Sequence, residues 1–201
     1  MVSSKKYQLR IELAGIDPVI WRRFIVPSCV SLDRLHDIIQ VMMGWKDYHL
    51  HEFIIKSKKY TENPESADDG KEENKFILGD LIKRKNTSFE YNYDFGDSWS
   101  HIVMVENVNF IGKPIEYICC LEGEHACPPE DVGGIYGYDA FCRAISNKDD
   151  PKHEDMKEWY ASLPWNKSEF NSDEFSPEIT TIELLKYIRW SRPRTQRCHY
   201  E

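Results

Sequence analysis

Tyr7, Leu9, Ile11 and Leu13 alternate with Gln8, Arg10 and Glu12. A period of two over seven residues puts every apolar side chain on one face, so this stretch reads as a half-buried strand. Gly15-Ile-Asp-Pro18 makes a turn, and Val19 to Val26 forms a second strand ending at Pro27. The two strands are expected to pair as a hairpin. A chain that starts this way must cover one sheet face with something else.

The cover follows directly. Ser31 stands at an N-cap position, with Leu32, Leu35, Ile38, Ile39 and Met42 at helical spacing up to Gly44. His49 to Lys56 reads as a third strand, so the chain opens β-β-α-β. Residues 57–75 are almost wholly polar and read as a flexible insert or long loop. Phe76 to Ile82 holds one helical turn around Gly79-Asp80. Ser88–Tyr93 and Trp99–Val105 are strands facing each other across Asp94-Phe95-Gly96-Asp97-Ser98, a hairpin loop with its glycine. Glu116 to Cys120 is a last short strand. Helical patterns follow at Tyr138–Ser146, Lys152–Leu163 and Pro177–Trp190. Strands first and helices later predict an α+β fold with a mainly antiparallel sheet. Residues 1–201 read as a single domain, with 191–201 as a basic tail.

Charge narrows the partners. The net charge is −8, which opposes a broad nucleic-acid footprint. The acids concentrate in residues 122–183, fifteen against five Lys or Arg, whereas residues 1–60 carry ten basic side chains against six acidic ones. A local basic patch could draw on Arg10, Arg22, Arg23 and the tail residues Arg189, Arg192, Arg194 and Arg197. The alternative is solvated surface. The longest apolar runs are too short to span a bilayer, and no signal peptide is read at the start. Six cysteines in a chain this rich in core residues are expected to be reduced, in a cytoplasmic protein. The exposed edge of a short hairpin would let two copies pair as a homodimer.

Several reactions are excluded by missing parts. Asp94-Phe95-Gly96 occurs without the Gly-rich loop, strand lysine or catalytic loop of a protein kinase. There is no Gly-x-Ser-x-Gly, no His-Glu-x-x-His and no Cys-x-x-Cys. The one Glu-x-Lys of nuclease type, Glu73-Asn-Lys75, falls in the polar stretch.

Two constellations carry ligand chemistry. His49 and His51 are two apart on the expected third strand and would share a face. His101, Cys120 and Cys127 add imidazole and thiol donors, giving a candidate divalent-metal set. The competing reading is a hydrogen-bonded core histidine and packed thiols. Asp94, Asp97, Trp99, His101, Glu130 and Asp131 would share a pocket if their two loops meet, with carboxylates for a cation or for acid–base work. The competing reading is turn chemistry, in which Asp caps backbone amides.

The ordered motifs resemble one family. They are Pro18-Val-Ile-Trp21-Arg22-Arg23, Leu35-His36, Met43-Gly44-Trp45, His49-Leu-His51-Glu-Phe53 and Tyr93-Asp-Phe-Gly-Asp-Ser-Trp99 with His101. Cys120-Leu-Glu-Gly, Cys127-Pro-Pro-Glu-Asp-Val-Gly-Gly134, Gly137-Tyr138, Asp150-Pro-Lys-His153-Glu154 and Trp159 complete the set. From about residue 5 to 190 the chain is similar to the Ri-plasmid ORF-three-like family, some members of which carry the label of insertion-element passenger resolvase. The resemblance implies an α+β fold and assigns no reaction to any residue. The catalytic pattern of a serine recombinase is missing here.

The expectation for function is a binding or accessory protein with a link to mobile elements. It uses the cleft between the Asp94–Trp99 turn and the Cys120–Gly134 loop. One alternative is a metal-dependent hydrolase or nuclease built on the His/Cys/Asp cluster. Another is a DNA-associated protein without catalysis.

Overall fold

A computed structural model describes residues 5–112, 118–164 and 169–190. Eight strands form one sheet: β1 Lys6–Leu13, β2 Trp21–Pro27, β3 His51–Ile55, β4 Lys58–Thr61, β5 Lys71–Glu72, β6 Thr87–Tyr93, β7 Trp99–Asn107 and β8 Cys119–Glu124. Their order is β5-β4-β3-β6-β7-β1-β2-β8. All neighbours are antiparallel except β4 and β5. The helices are α1 Leu32–Met43, α2 Leu78–Leu81, α3 Gly134–Ser146, α4 His153–Ser162 and α5 Pro177–Trp190. The protein is α+β, opening β-β-α-β, with helices gathered at the C-terminal end.

The alternation in β1 does what its period requires. Tyr7, Leu9, Ile11 and Leu13 are buried, while Lys6, Gln8, Arg10 and Glu12 are half-exposed. In β7, Trp99, His101, Val103 and Val105 are buried and Ile102 and Met104 are exposed. The buried face forms one core with Leu32, Leu35, Ile38, Ile39, Met42 and Met43 of α1. Helix α1 ends at Gly44, whose φ of 87° is left-handed and whose N–H bonds to Gln40 O and Val41 O. Ser31 holds the N-cap position with no side-chain cap bond. The strand-like segment before α2 substitutes for it, since Leu32 N donates to Phe76 O at 3.0 Å.

The polar stretch 57–75 is not a bare loop. It contains β4, β5 and a 3₁₀ turn at Glu73–Lys75. Composition hid this because Tyr60 is the one large aromatic there; it is buried and pairs with Phe53 across the ladder. The last strand also differs. It runs to Glu124 rather than stopping at Cys120, because Glu122, Gly123 and Glu124 stay in register with Arg23, Arg22 and Trp21. The first half of the expected 116–120 segment lies outside the described residues.

The opening hairpin is not at an edge. Strand β1 lies between β7 and β2, and β2 lies between β1 and β8, so that hairpin offers no free ladder to a second copy. The β8 edge is covered by α5: Cys120 N donates to Thr181 Oγ1 at 3.0 Å, and Thr181 Oγ1 donates to Cys120 O at 3.3 Å. Among the described residues, no helix is long and apolar enough to cross a membrane. Cys119, Cys120, Cys127 and Cys142 are thiols, whereas Cys29, expected as a thiol, is disulfide-bonded.

Candidate functional site

Two loops and one linker meet above the buried face of the sheet. The first loop is the β6–β7 turn. Asp94 (φ 54°) and Ser98 (φ 59°) both take left-handed backbone, which tightens it. Asp94 Oδ1 accepts from Gly96 N at 2.9 Å and from Asp97 N at 3.2 Å. Turn chemistry therefore accounts for half of this carboxylate. Its other oxygen, Oδ2, stands 3.6 Å from His49 Nε2.

The second loop follows β8. Asp131 (φ 59°), Gly133 (φ 93°) and Gly134 (φ 67°) are also left-handed. Gly133 N donates to Asp97 Oδ2 at 3.0 Å, so Asp97 joins the two loops. A Cβ at Gly134 would sit 2.7 Å from Asp97 O, and only glycine permits the approach.

The linker between α1 and β3 delivers the rest. Trp45 Nε1 donates to Pro128 O at 2.9 Å, Lys46 N to Glu130 Oε1 at 2.7 Å, and Tyr48 N to Tyr93 Oη at 3.1 Å. These bonds place His49. Its Nε2 is 3.0 Å from Asp131 Oδ1 and 4.0 Å from Glu130 Oε2. Glu130 is 1% exposed. Burial pushes its carboxyl above the usual range, against the pull of its bonds from Lys46 N and Tyr93 Oη. One imidazole and three carboxylates thus converge, and His49, Asp94 and Asp131 each bring a ligand atom within 4.8 Å of the others.

Trp99 and His101 form the floor, not the wall. Trp99 is buried, with its ring centroid 6.1 Å from that of Trp45. His101 is wholly buried, edge-on to Trp45 at 5.2 Å. Its Nδ1 is 3.1 Å from Tyr91 O, and since a carbonyl only accepts, that nitrogen carries the proton. Burial holds its pKa down at about 4.

The five-member metal set His49, His51, His101, Cys120 and Cys127 does not assemble. Strand β3 begins at His51, so His49 precedes the alternation that would have put both rings on one face. His51 instead stacks on His36, with ring centroids 3.5 Å apart, and bonds Glu73 Oε2 at 2.8 Å. The thiols sit beside Arg22. Burial raises Cys120 to about 12, and Cys127 is also raised by burial, so both keep their protons at neutral pH.

The basic hairpin does not form a phosphate patch either. Arg22 is 2% exposed and donates to Met42 O, Trp21 O, Glu124 O and His125 O at 2.7–3.1 Å. Arg23 is tied to Glu106 and Glu122, and Arg10 to Glu12. Tail residues 191–201 lie outside the described residues, as does the side chain of Arg189.

Sequence reasoning missed Lys46 and Gln40 as supports and Asp47 as an acid. Each meets a partner through a fold-level contact. Only Asp47 carried a local hint, as the acid two before His49.

A family model described as plasmid pRiA4b ORF-3-like protein matches residues 5–177. Uncharacterized protein y4hQ of Sinorhizobium fredii (strain NBRC 101917 / NGR234) is 32% identical over 190 residues, which cover 94% of this chain and 97% of that one. A solved structure, the protein of unknown function MM3350 from Methanosarcina mazei Go1, is similar with a TM-score of 0.75 and 32% identity. That match covers 88% of this chain and 97% of the other. The chain belongs to the plasmid pRiA4b ORF-3-like family.

Proposed function

We propose that this protein is a binding or accessory module whose working surface is the cleft between the Asp94–Ser98 turn and the 125–134 loop. A divalent cation held by His49, Asp94 and Asp131 completes that surface. Glu130 supports the site from below, and Asp97 holds the loops together.

One observation carries the reading. His49 Nε2 lies 3.0 Å from Asp131 Oδ1 and 3.6 Å from Asp94 Oδ2. Ligands about 2.1 Å from one ion are separated by about 3.0–3.4 Å in octahedral or tetrahedral geometry. Two carboxylates balance the charge of the ion, and one imidazole favours Zn²⁺ or Mn²⁺ over Ca²⁺. The side chain of His49 is 30% exposed and that of Asp131 62%, so an ion there could also bind a ligand from solution. A link to mobile elements belongs to the same reading and is supported by the plasmid family membership. For a cytoplasmic setting, the four thiols count in favour and the disulfide-bonded Cys29 against.

Titration calorimetry on metal-free protein tests this with Zn²⁺ and Mn²⁺ as probes. We expect binding that weakens at least tenfold in Asp131→Asn and in His49→Gln. Equal affinity in the wild type and both variants would overturn it. Hydrolysis of a simple phosphodiester by the loaded wild type, absent from Asp131→Asn, would replace the binding module with a hydrolase.

A further inference from the structure

A separate cluster begins two residues before His49 on the same linker, at Asp47. Asp47 Oδ1 is 2.8 Å from His36 Nε2, and Glu73 Oε2 is 2.8 Å from His51 Nε2. The two imidazoles are stacked at 3.5 Å with an interplanar angle of 6°. His36 and Glu73 are each 1% exposed, and His51 is also buried. Ligand atoms of His36, Asp47 and His51 all lie within 4.8 Å of one another.

The arrangement is costly as it stands. The Asp47 carboxylate only accepts, so in a neutral ring the proton of His36 is on Nε2. Nδ1 then accepts from Tyr91 Oη at 2.8 Å, while Tyr91 Oη accepts from Gln40 Nε2. His36 thus donates from Nε2 to Asp47. Beside it sits a buried carboxylate with an unmet need. Glu73 Oε2 faces His51, while Glu73 Oε1 is buried with no hydrogen-bond partner. A buried acceptor left without a donor destabilises the fold, more so on a carboxylate.

The geometry points to a second divalent-metal site, formed by His36 and His51 through Nε2 and by the carboxylates of Asp47 and Glu73. Two imidazoles and two carboxylates are a ligand set for Zn²⁺ or another first-row ion, and two negative charges match its charge. A neutral ring that ligates through Nε2 carries its one proton on Nδ1, so each ring changes tautomer on binding and no net proton is released. At His36 the Nδ1–H then donates to Tyr91 Oη, whose own proton turns away. The lone pair of each Nε2 lies in its ring plane, so the two rings must turn from parallel to convergent when the ion binds. The ion supplies the partner that Glu73 Oε1 lacks. This site ties the β4–β5 segment to α1 and β3. It is independent of the His49 site, and Tyr93 stands near both, with its ring centroid 6.5 Å from His36 and 5.9 Å from His49.

Zn²⁺ bound per chain, counted by mass spectrometry after loading and gel filtration, separates the two sites. The wild type is expected to hold two ions. Asp131→Asn loses the outer one, Asp47→Asn loses the inner one, and the double variant holds none. Asp47 has φ 60°, a conformation that Asn also tolerates, so the inner variant is expected to keep the wild-type thermal midpoint without metal. If Asp47→Asn binds as many ions as the wild type with equal affinity, the inner site is overturned while the outer one stands. A second readout does not depend on that variant folding. Zn²⁺ should shift the ¹⁵N resonances of both His36 and His51 imidazoles in the wild-type chain, and unchanged resonances at saturating Zn²⁺ would also overturn the site.

Discussion

Arg22 Nη2 donates to His125 O at 2.8 Å across 103 residues of chain. His125 opens the loop that carries Glu130 and Asp131, and it takes left-handed backbone at φ 64°. The same guanidinium reaches Glu124 O, Trp21 O and Met42 O and packs 3.7 Å from the Phe175 ring centroid. One buried cation thus pins the loop to the sheet and to the end of α1.

Arg22→Leu should cost about 3–5 kcal/mol, because it strands several buried carbonyls at once. Arg22→Lys should recover only a small part, since an ammonium cannot reach acceptors spread around a planar fork. Urea unfolding at pH 7 measures both. Wild-type stability in Arg22→Lys would contradict this role.

Gly134→Ala should disturb the site without touching a ligand. The backbone there is left-handed, and the added methyl would lie 2.7 Å from Asp97 O. Left-handed strain on a non-glycine residue costs about 1–3 kcal/mol. The Asp97–Gly133 contact should open as a result. The expected outcome is a lower thermal midpoint together with weaker Zn²⁺ binding, read in the same preparation.

Stability should fall in acid partly through His101. Its pKa in the folded chain is about 4, below its ordinary 6.5, so between those values the unfolded state holds more protons. The stability contributed is therefore fully present above pH 6.5 and is lost as pH falls toward about 4. The gap corresponds to about 3 kcal/mol. His101→Gln, which cannot titrate, should flatten unfolding free energy against pH in that window. His36, also pulled down by burial, should leave a residual slope.

Glu130→Gln separates stability from binding. Burial raises this carboxyl, so the folded chain is penalised as pH rises and the group ionises. The amide still accepts from Lys46 N without a buried charge. At pH 8 the metal-free variant should be about 1 kcal/mol more stable than the wild type, with cation affinity about tenfold weaker. Paired urea melts and calorimetry would show the two changes in opposite directions.

Sequence alone determined the order and kind of most elements. Period-two alternation marks β1, helical spacing marks α1, and Gly44 ends that helix because a left-handed residue is needed there. The Asp94–Ser98 turn was legible for the same local reason. Partners across the fold were not. His49 and His51 look equivalent in the sequence, yet one meets Asp131 and the other Glu73, 82 and 22 residues away. Periodicity assigns a face only within a strand, and β3 starts between them. Arg22 looked like surface charge, and only burial under Phe175 with β8 alongside made it a structural cation. Local spacing reports what a segment can become. Which side chains share a site depends on long-range packing, and here that decided where the carboxylates, imidazoles and guanidinium came to rest.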